Sequence, residues 1–213
     1  RSLMEKYCKY LQVLRSMESI KEYVPSEAVG YIEELLSNYD IQLKIKSERK
    51  TRHGDFRVLR NGNCLITVNS NLNKYRFLIT LIHEIAHLYV YKLYNNKVKP
   101  HGVEWKNQFR ILISPVLNPD VFPKKILPLL AGYFKNPKAS TDSDVELVKE
   151  LKIFDSSNDK SYIHELDLGT KFDIYNGKIF KLEKKLRKRY KCVEVETGKY
   201  YLFNANAEIN KLD

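Results

Sequence analysis

An uninterrupted stretch over residues 74–95 is the feature that most constrains how this chain folds. It contains neither proline nor glycine, and its apolar residues recur at spacings of three and four. That period is typical of an α-helix whose apolar face packs into a core. Asn73, directly before the stretch, is a residue type that caps the first turn of helices. The sequence therefore predicts a long, mostly buried helix around which the neighbouring elements pack.

The same stretch contains the motif His83-Glu84-Ile85-Ala86-His87. Histidines four residues apart project from one face of a helix, so both can bind one metal ion. From its position after the first histidine, Glu84 can reach a metal-bound water and serve as the general base of a zinc hydrolase. The alternative is a surface stripe of hydrogen-bonded histidines, which the apolar flanks disfavour.

A zinc ion held by two histidines needs a third protein ligand, while a catalytic site leaves the fourth position to water. His101 is the next histidine and follows a polar turn that can reverse the chain. Glu104 is the alternative, as the carboxylate of a following helix in a gluzincin arrangement. The metzincin spacing fails because Val90 and Leu93 stand where glycine and histidine are required. Imidazole is the commonest metal ligand, so we predict His101 as the third ligand.

The other two histidines are predicted to lie outside the metal centre. His53 belongs to a loop rich in basic residues, where a solvated histidine is expected rather than a fourth metal ligand. His164 lies in a polar stretch far along the chain from the motif and is predicted to be at the surface.

With its two motifs, HEIAH and HGVEW, the chain resembles the SprT-like metallopeptidases, whose eukaryotic relatives cleave proteins crosslinked to DNA. The likeness covers about residues 26–115. It implies one zinc ion (Zn²⁺) per chain, with His83, His87 and His101 as its ligands and Glu84 as the catalytic base. Trp105 matches the aromatic position of the second motif and is predicted to wedge the second motif helix under the site.

The cysteines mark a departure from many members of that family, which carry a zinc ribbon built on two pairs of cysteines. This chain has only Cys8, Cys64 and Cys192, without any CxxC spacing, so a second, structural zinc site is not expected. It is similar instead to ribbon-less relatives that have a small β module. Scattered cysteines are typical of a reducing compartment. No stretch resembles a membrane span or a signal peptide, so the predicted location is the cytoplasm.

The predicted fold class is α+β, with a zincin-like core of helices on a small sheet and a C-terminal all-β module of SH3-like or barrel type. The predicted segments are an amphipathic helix over 1–25, the peptidase domain over 26–134, a linker with a helix over 135–168, and the β module over 169–213. Within the core, strands are predicted on both sides of an Asn61-Gly62 turn. By analogy with other zinc peptidases, residues 64–69 are predicted to be the sheet edge along which an extended substrate lies.

Two hairpins define the predicted β module, with turns at Asn176-Gly177 and Thr197-Gly198 between strand-like segments. Aromatic side chains near its basic strand are candidates for stacking on unpaired bases. These candidates are Tyr175, Tyr200 and Tyr201. The alternative is that they belong to the core of a small sheet.

The chain has a formal net charge of +11, and the positive charge is concentrated in two blocks. Residues 41–60 hold seven basic and two acidic residues, and residues 178–191 hold eight and one, with an acidic stretch over 141–167 between them. Such blocks are either solvated faces or the footprint of phosphate-backbone binding. The candidate nucleic-acid contacts are Arg49, Lys50, Arg52, Lys184, Lys185, Arg187, Lys188 and Arg189.

Together these features predict a zinc-dependent metallopeptidase that hydrolyses proteins associated with single- or double-stranded DNA, with Glu84 as general base. An alternative from another class is a nucleic-acid-binding module in which zinc only stabilises the fold. Such a site has no need of Glu84 and usually takes four protein ligands. Hydrolysis of a non-peptide amide by the same metal site is a third interpretation.

Overall fold

The computed structural model describes residues 20–49, 51–155, 161–174 and 176–212. It combines helices with two sheets, so the α+β class predicted from the sequence is confirmed. The chain divides into two compact units, the first ending at Ala139 and the second beginning at Ser140. Residues 20–23 are helical, and the rest of the helix predicted over 1–25 lies largely outside the described residues. The unit boundary falls inside the predicted linker over 135–168.

The first unit contains a three-stranded sheet with the strand order β1-β3-β2. Its strands are β1 (Ile41–Lys46), β2 (Gly54–Val58) and β3 (Cys64–Asn69). Strands β2 and β3 form the predicted antiparallel hairpin, whereas β1 pairs with β3 in parallel. The turn of the hairpin has Gly62 at a φ of 80°, a conformation that favours glycine.

The prediction that residues 64–69 form the open sheet edge is wrong. Strand β3 lies between β1 and β2, and all six of its residues are buried. A strand with hydrogen-bonded neighbours on both sides has no backbone groups to offer to an incoming peptide. Among the described residues, the edge strands of this sheet are β1 and β2.

The helices of the first unit are α1 (Val29–Ser37), α2 (Lys74–Tyr94), α3 (Val103–Ile113) and α4 (Leu127–Phe134). Helix α2 is the long helix predicted from the sequence, and the side-chain oxygen of Asn73 caps it by accepting the backbone N–H groups of Tyr75 and Arg76. It packs on β2, β3 and α3. Because both the sheet and a helix cover it, eleven of its residues are buried, more than one amphipathic stripe would supply.

The second unit contains helix α5 (Val145–Lys152) and a six-stranded sheet. Its strands are β4 (Ser161–Tyr162), β5 (Lys171–Asp173), β6 (Ile179–Lys185), β7 (Arg189–Glu194), β8 (Tyr200–Asn204) and β9 (Glu208–Lys211). They pair antiparallel in the order β4-β9-β5-β6-β7-β8. Both predicted hairpins are present, with Gly177 and Gly198 at positive φ in their turns. The assignment to an SH3-like or barrel fold stays a prediction.

The core of the second unit lies on one face of this sheet. Alternate residues of β5, β6 and β7 point into it, among them Phe172, Phe180 and Tyr190. The residues between them in the chain therefore point away from this core. Among the described residues, no helix in either unit is long and apolar enough to cross a membrane.

Candidate metal centre

Three histidines of the first unit meet at one point. His83 and His87 project from α2, and His101 comes from the turn before α3. Their Nε2 atoms are 3.2 Å apart between His83 and His87, 3.1 Å between His83 and His101, and 3.0 Å between His87 and His101. Nitrogen ligands about 2.0–2.1 Å from a tetrahedral zinc ion would be separated by about 3.3 Å. The triangle therefore has nearly the size that one such ion requires, and the donor set suits a transition metal.

The turn that delivers His101 has an unusual backbone. His101 has a φ of 57°, in the left-handed region that non-glycine residues seldom adopt. At Gly102, a Cβ atom would lie 2.9 Å from the backbone oxygen of Lys99. The glycine of the HG pair is therefore needed for the tight approach of the chain to itself, and the strained histidine before it is typical of a functional site.

Trp105 lies beneath all three imidazoles, the place expected for it from the motif. Its ring centroid is 4.5 Å from that of His83, 5.3 Å from that of His87 and 4.6 Å from that of His101. The indole Nε1–H donates to the backbone oxygen of His83 at 3.4 Å, and the side chain is fully buried. The tryptophan thus ties α3 to α2, the helix that carries His83 and His87 (the metal helix), directly under the three imidazoles.

The environment keeps the three imidazoles neutral. Burial lowers the pKa of His83 well below its ordinary value, and the neighbouring rings of His87 and His101 lower it further. Burial and the adjacent His101 lower the pKa of His87 to about 3, and burial alone lowers that of His101. Neutral imidazole is the form that binds metal ions, so the site is electrostatically prepared for one.

Glu84 directly follows His83 on α2, is buried, and lies against the first residue of β2. A Cβ atom at Gly54 would be 2.7 Å from Oε1 of Glu84 and 2.8 Å from Cγ2 of Thr80. Glycine is thus the residue that lets the strand and the carboxylate approach so closely. The backbone N–H of Phe56 donates a hydrogen bond to the carboxylate. Sequence reasoning missed Gly54, Thr80 and Phe56, because nothing in a local pattern shows which strand meets the helix.

The acidity of Glu84 follows from this setting. Burial is the main cause that raises the pKa of its carboxyl to about 8, and the nearby charge of Asp55 acts in the same direction. The Arg49 charge and the Phe56 N–H oppose the shift. The three histidines and this carboxylate together resemble the donor set and base of a hydrolytic metal centre.

The other candidate ligands lie apart from the triangle. Within the described part of the chain, His83, His87 and His101 form the group whose ligand atoms could hold a metal ion, and neither Glu104 nor His53 belongs to it. Nε2 of His53 lies 3.3 Å from a guanidinium nitrogen of Arg76. In the second unit, His164 uses its Nδ1 in a hydrogen bond with the backbone oxygen of Ala205.

The candidate nucleic-acid contacts of the first unit differ in their settings. The guanidinium of Arg49 donates from Nε to Asn69 and from Nη1 to Thr67, both at 2.8 Å, so it anchors its loop to β3. That is not the placement of a solvent-facing phosphate contact. Arg52 is exposed and pairs with Asp55 at 2.8 Å, and Lys50 lies outside the described residues.

The candidates of the second unit are all exposed around the β6–β7 turn. They are Lys184, Lys185, Arg187, Lys188 and Arg189. Their role as nucleic-acid contacts stays a prediction.

The fold and the site define a class: an α+β domain that carries HExxH on a buried helix and a third histidine on the turn before the next helix. The sequence comparison then identifies the family, because residues 26–121 match the model of the SprT-like family and the domain they form belongs to it. This confirms the resemblance seen in the two motifs. No curated protein and no solved structure matches the chain.

Proposed function

We propose that this protein is a zinc-dependent peptidase of SprT-like type. The observation that carries the proposal is the triangle of three neutral imidazoles whose Nε2 atoms lie within 3.2 Å of one another, with the buried Glu84 next to His83 on the same helix. Three protein ligands are typical of a catalytic zinc ion, whereas a structural zinc ion usually has four. Membership of the SprT-like family supports the same reading.

His83, His87 and His101 would hold the ion. A bound zinc ion would supply Lewis acidity, which makes water more acidic and polarises a peptide carbonyl. The charge of a bound ion would lower the pKa of the Glu84 carboxyl, which burial raises in its absence, and so favour the carboxylate form. The Glu84 carboxylate accepts the proton of the attacking water and passes it to the leaving nitrogen as the C–N bond breaks. The Phe56 N–H and the close approach of Gly54 fix the carboxylate in the position where this transfer occurs.

Strand β2 is the element along which an extended substrate would lie, in place of residues 64–69. It pairs with β3 on one side, is an edge strand of its sheet, and touches the metal helix at Glu84. An edge strand can bind an extended peptide through main-chain hydrogen bonds. This placement brings the scissile bond next to the proposed base.

The proposed substrates are proteins associated with DNA. The exposed basic side chains around the β6–β7 turn and the net charge of +11 support this part of the proposal. Binding to phosphates releases counterions, so DNA affinity should fall steeply as salt is raised from low to physiological strength. A DNA affinity that does not respond to salt would remove this part and leave the peptidase proposal intact.

The decisive experiment measures metal content and proteolysis on the same preparations of wild type, Glu84→Gln and His101→Ala. We expect one zinc ion per chain in wild type and Glu84→Gln, cleavage only in wild type, and loss of the metal in His101→Ala. Glu104→Gln is the matched control, an acidic residue near the site that should keep both metal and cleavage. Full activity of Glu84→Gln would contradict the base assignment.

A second arm adds single-stranded DNA and a DNA-bound protein substrate to the same assay. Stimulation by DNA would support the proposed substrate class. One zinc ion per chain without cleavage of any protein in either arm would favour the nucleic-acid-binding module with a structural zinc site.

A further inference from the structure

The face of the second unit's sheet that points away from its core carries an apolar patch. We call this face the outer face. Ile179, Val193 and Val195 alternate with buried residues along β6, along β7 and just beyond it. In β8, Tyr200 and Leu202 alternate with the exposed Tyr201 and the half-buried Phe203. Tyr200 and Leu202 are 59% and 53% exposed. Exposed apolar residues scattered singly need no explanation, but a contiguous group marks an interaction surface.

The strand register shows that these side chains are contiguous. Val193 of β7 lies opposite Tyr200 of β8, and Leu202 lies opposite Lys191. On the other side of β7, the backbone N–H of Val195 donates to Ile179 at 2.9 Å. Directly paired side chains on one face of a sheet are neighbours, so the group forms one patch across β6, β7 and β8.

Positive charge surrounds the patch. The basic residues on the outer face are Lys171, Lys181, Lys184, Arg189 and Lys191, whereas the acidic residues that the strand pairs place there are Asp173 and Glu208. Lys181 lies opposite Val193, so the cations are interleaved with the apolar side chains. The face is therefore complementary to a ligand that carries both acidic and apolar side chains.

Tyr200 and Tyr201 are poorly arranged for stacking on bases, and the third candidate, Tyr175, lies outside the described residues. Nζ of Lys191 lies 3.7 Å from the ring centroid of Tyr200 and covers one face of that ring. Tyr201 packs its ring edge-on against Phe180 at 5.3 Å and donates its hydroxyl to Glu194 at 3.1 Å. Single-strand binding relies on open aromatic platforms, and aliphatic side chains do not supply them. A polypeptide suits this surface better than a nucleic acid.

We propose that the outer face binds an acidic, extended segment of a partner protein, whose aliphatic side chains cover Tyr200 and Leu202 and whose carboxylates lie against the surrounding lysines. Strand β8 is at the end of the described sheet and pairs with β7. An extended segment can therefore also run beside it, as peptides do along sheet edges. The site belongs to the second unit and does not depend on the proposed metal centre.

The test measures the fluorescence anisotropy of three labelled probes with the whole 213-residue chain. The probes are a short peptide of alternating acidic and aliphatic residues, the same peptide with serine in place of every aliphatic residue, and a thymidine oligonucleotide of similar length. The protein carries Glu84→Gln so that no probe is cleaved. The double variant Tyr200→Ser with Leu202→Ser removes the centre of the patch, and Ile153→Ser, 67% exposed and outside the outer face, is the matched control.

We expect saturable binding of the acidic-aliphatic peptide, weakened at least about tenfold by the double variant and unchanged by Ile153→Ser. Equal binding of the serine version would show a charge effect alone and overturn the proposal. Absence of peptide binding would also overturn it, as would oligonucleotide binding that the double variant abolishes, which would identify a nucleic-acid surface instead.

Discussion

The close contact between Gly54 and Glu84 gives the sharpest prediction. In Gly54→Ala the new Cβ atom would stand 2.7 Å from Oε1 of Glu84, where an ordinary contact is at least about 3.4 Å. Either the carboxylate or the strand must therefore move by about 0.7 Å. Misplacing a catalytic group by about 1 Å can lower the rate about 100-fold. We expect Gly54→Ala to lower kcat about 10- to 100-fold while the three histidines keep their metal.

The assay combines kcat on a protein substrate with zinc content and the thermal unfolding midpoint. Gly132→Ala is the matched control, because a Cβ atom there meets nothing within 4 Å and the residue lies in helix α4 of the same unit. It should keep its activity and unfold no earlier than wild type. Wild-type kcat in Gly54→Ala would refute the reasoning, and so would a loss of activity that merely follows a loss of zinc.

Two further substitutions test a residue that holds the histidines in place in the first unit and a residue that stabilises the fold of the second. Trp105→Phe removes the indole N–H that donates to the backbone oxygen of His83, and it leaves a smaller ring beneath the three histidines. We therefore expect zinc affinity to fall about 10- to 100-fold in a chelator competition assay. An unchanged affinity would contradict this role. In the second unit, hydrogen bonds from Lys178, Thr197 and Tyr201 lower the pKa of Glu194 to about 2, and the first of them is an ion pair of 2.6 Å. Because the folded pKa lies below the ordinary value, Glu194 stabilises the fold above about pH 4.5 and loses this effect as the pH falls towards 2. Glu194→Gln should thus be less stable at neutral pH and less sensitive to acid over that range, and an acid-unfolding curve parallel to wild type would argue against it.

The metal helix could be predicted from the sequence because its signals are local. The period of its apolar residues, the Asn73 cap and the four-residue spacing of His83 and His87 all follow from helix geometry. His101 needed more, since nothing local shows that a turn brings it back to α2. The polar turn and the preference of metal sites for imidazole favoured His101, and the family resemblance supported the same assignment.

The strand order of the first unit's sheet could not be predicted from the sequence, for a physical reason. A turn such as Asn61-Gly62 specifies the hairpin of β2 and β3, but the parallel partner of β3 is chosen by packing between distant segments. The result places residues 64–69 in the middle of the sheet. Gly54 could not be predicted for the same reason, because a glycine is needed there for the close approach to Glu84, which is thirty positions further along the chain.

Charge patterns were similarly ambiguous. A block of basic residues says nothing about which side chains turn inward, and Arg49 does so because buried Thr67 and Asn69 need its hydrogen bonds. Tyr201 was a stacking candidate from composition, yet its hydroxyl is engaged by Glu194 within the sheet. In both cases the hydrogen-bond partner that fixes the side chain cannot be identified from a local sequence pattern.

The distribution of the three histidines over two elements links metal binding to tertiary structure. Two ligands are fixed on α2, and the third reaches them only while the turn at His101 and helix α3 are docked on α2. By linkage, undocking in the metal-free protein lowers the apparent metal affinity only in proportion to the docked fraction that is lost, and a bound ion stabilises the docked arrangement over the undocked one. An ion bound by all three histidines would therefore join the two helices, and its removal would let α3 undock from α2 more readily.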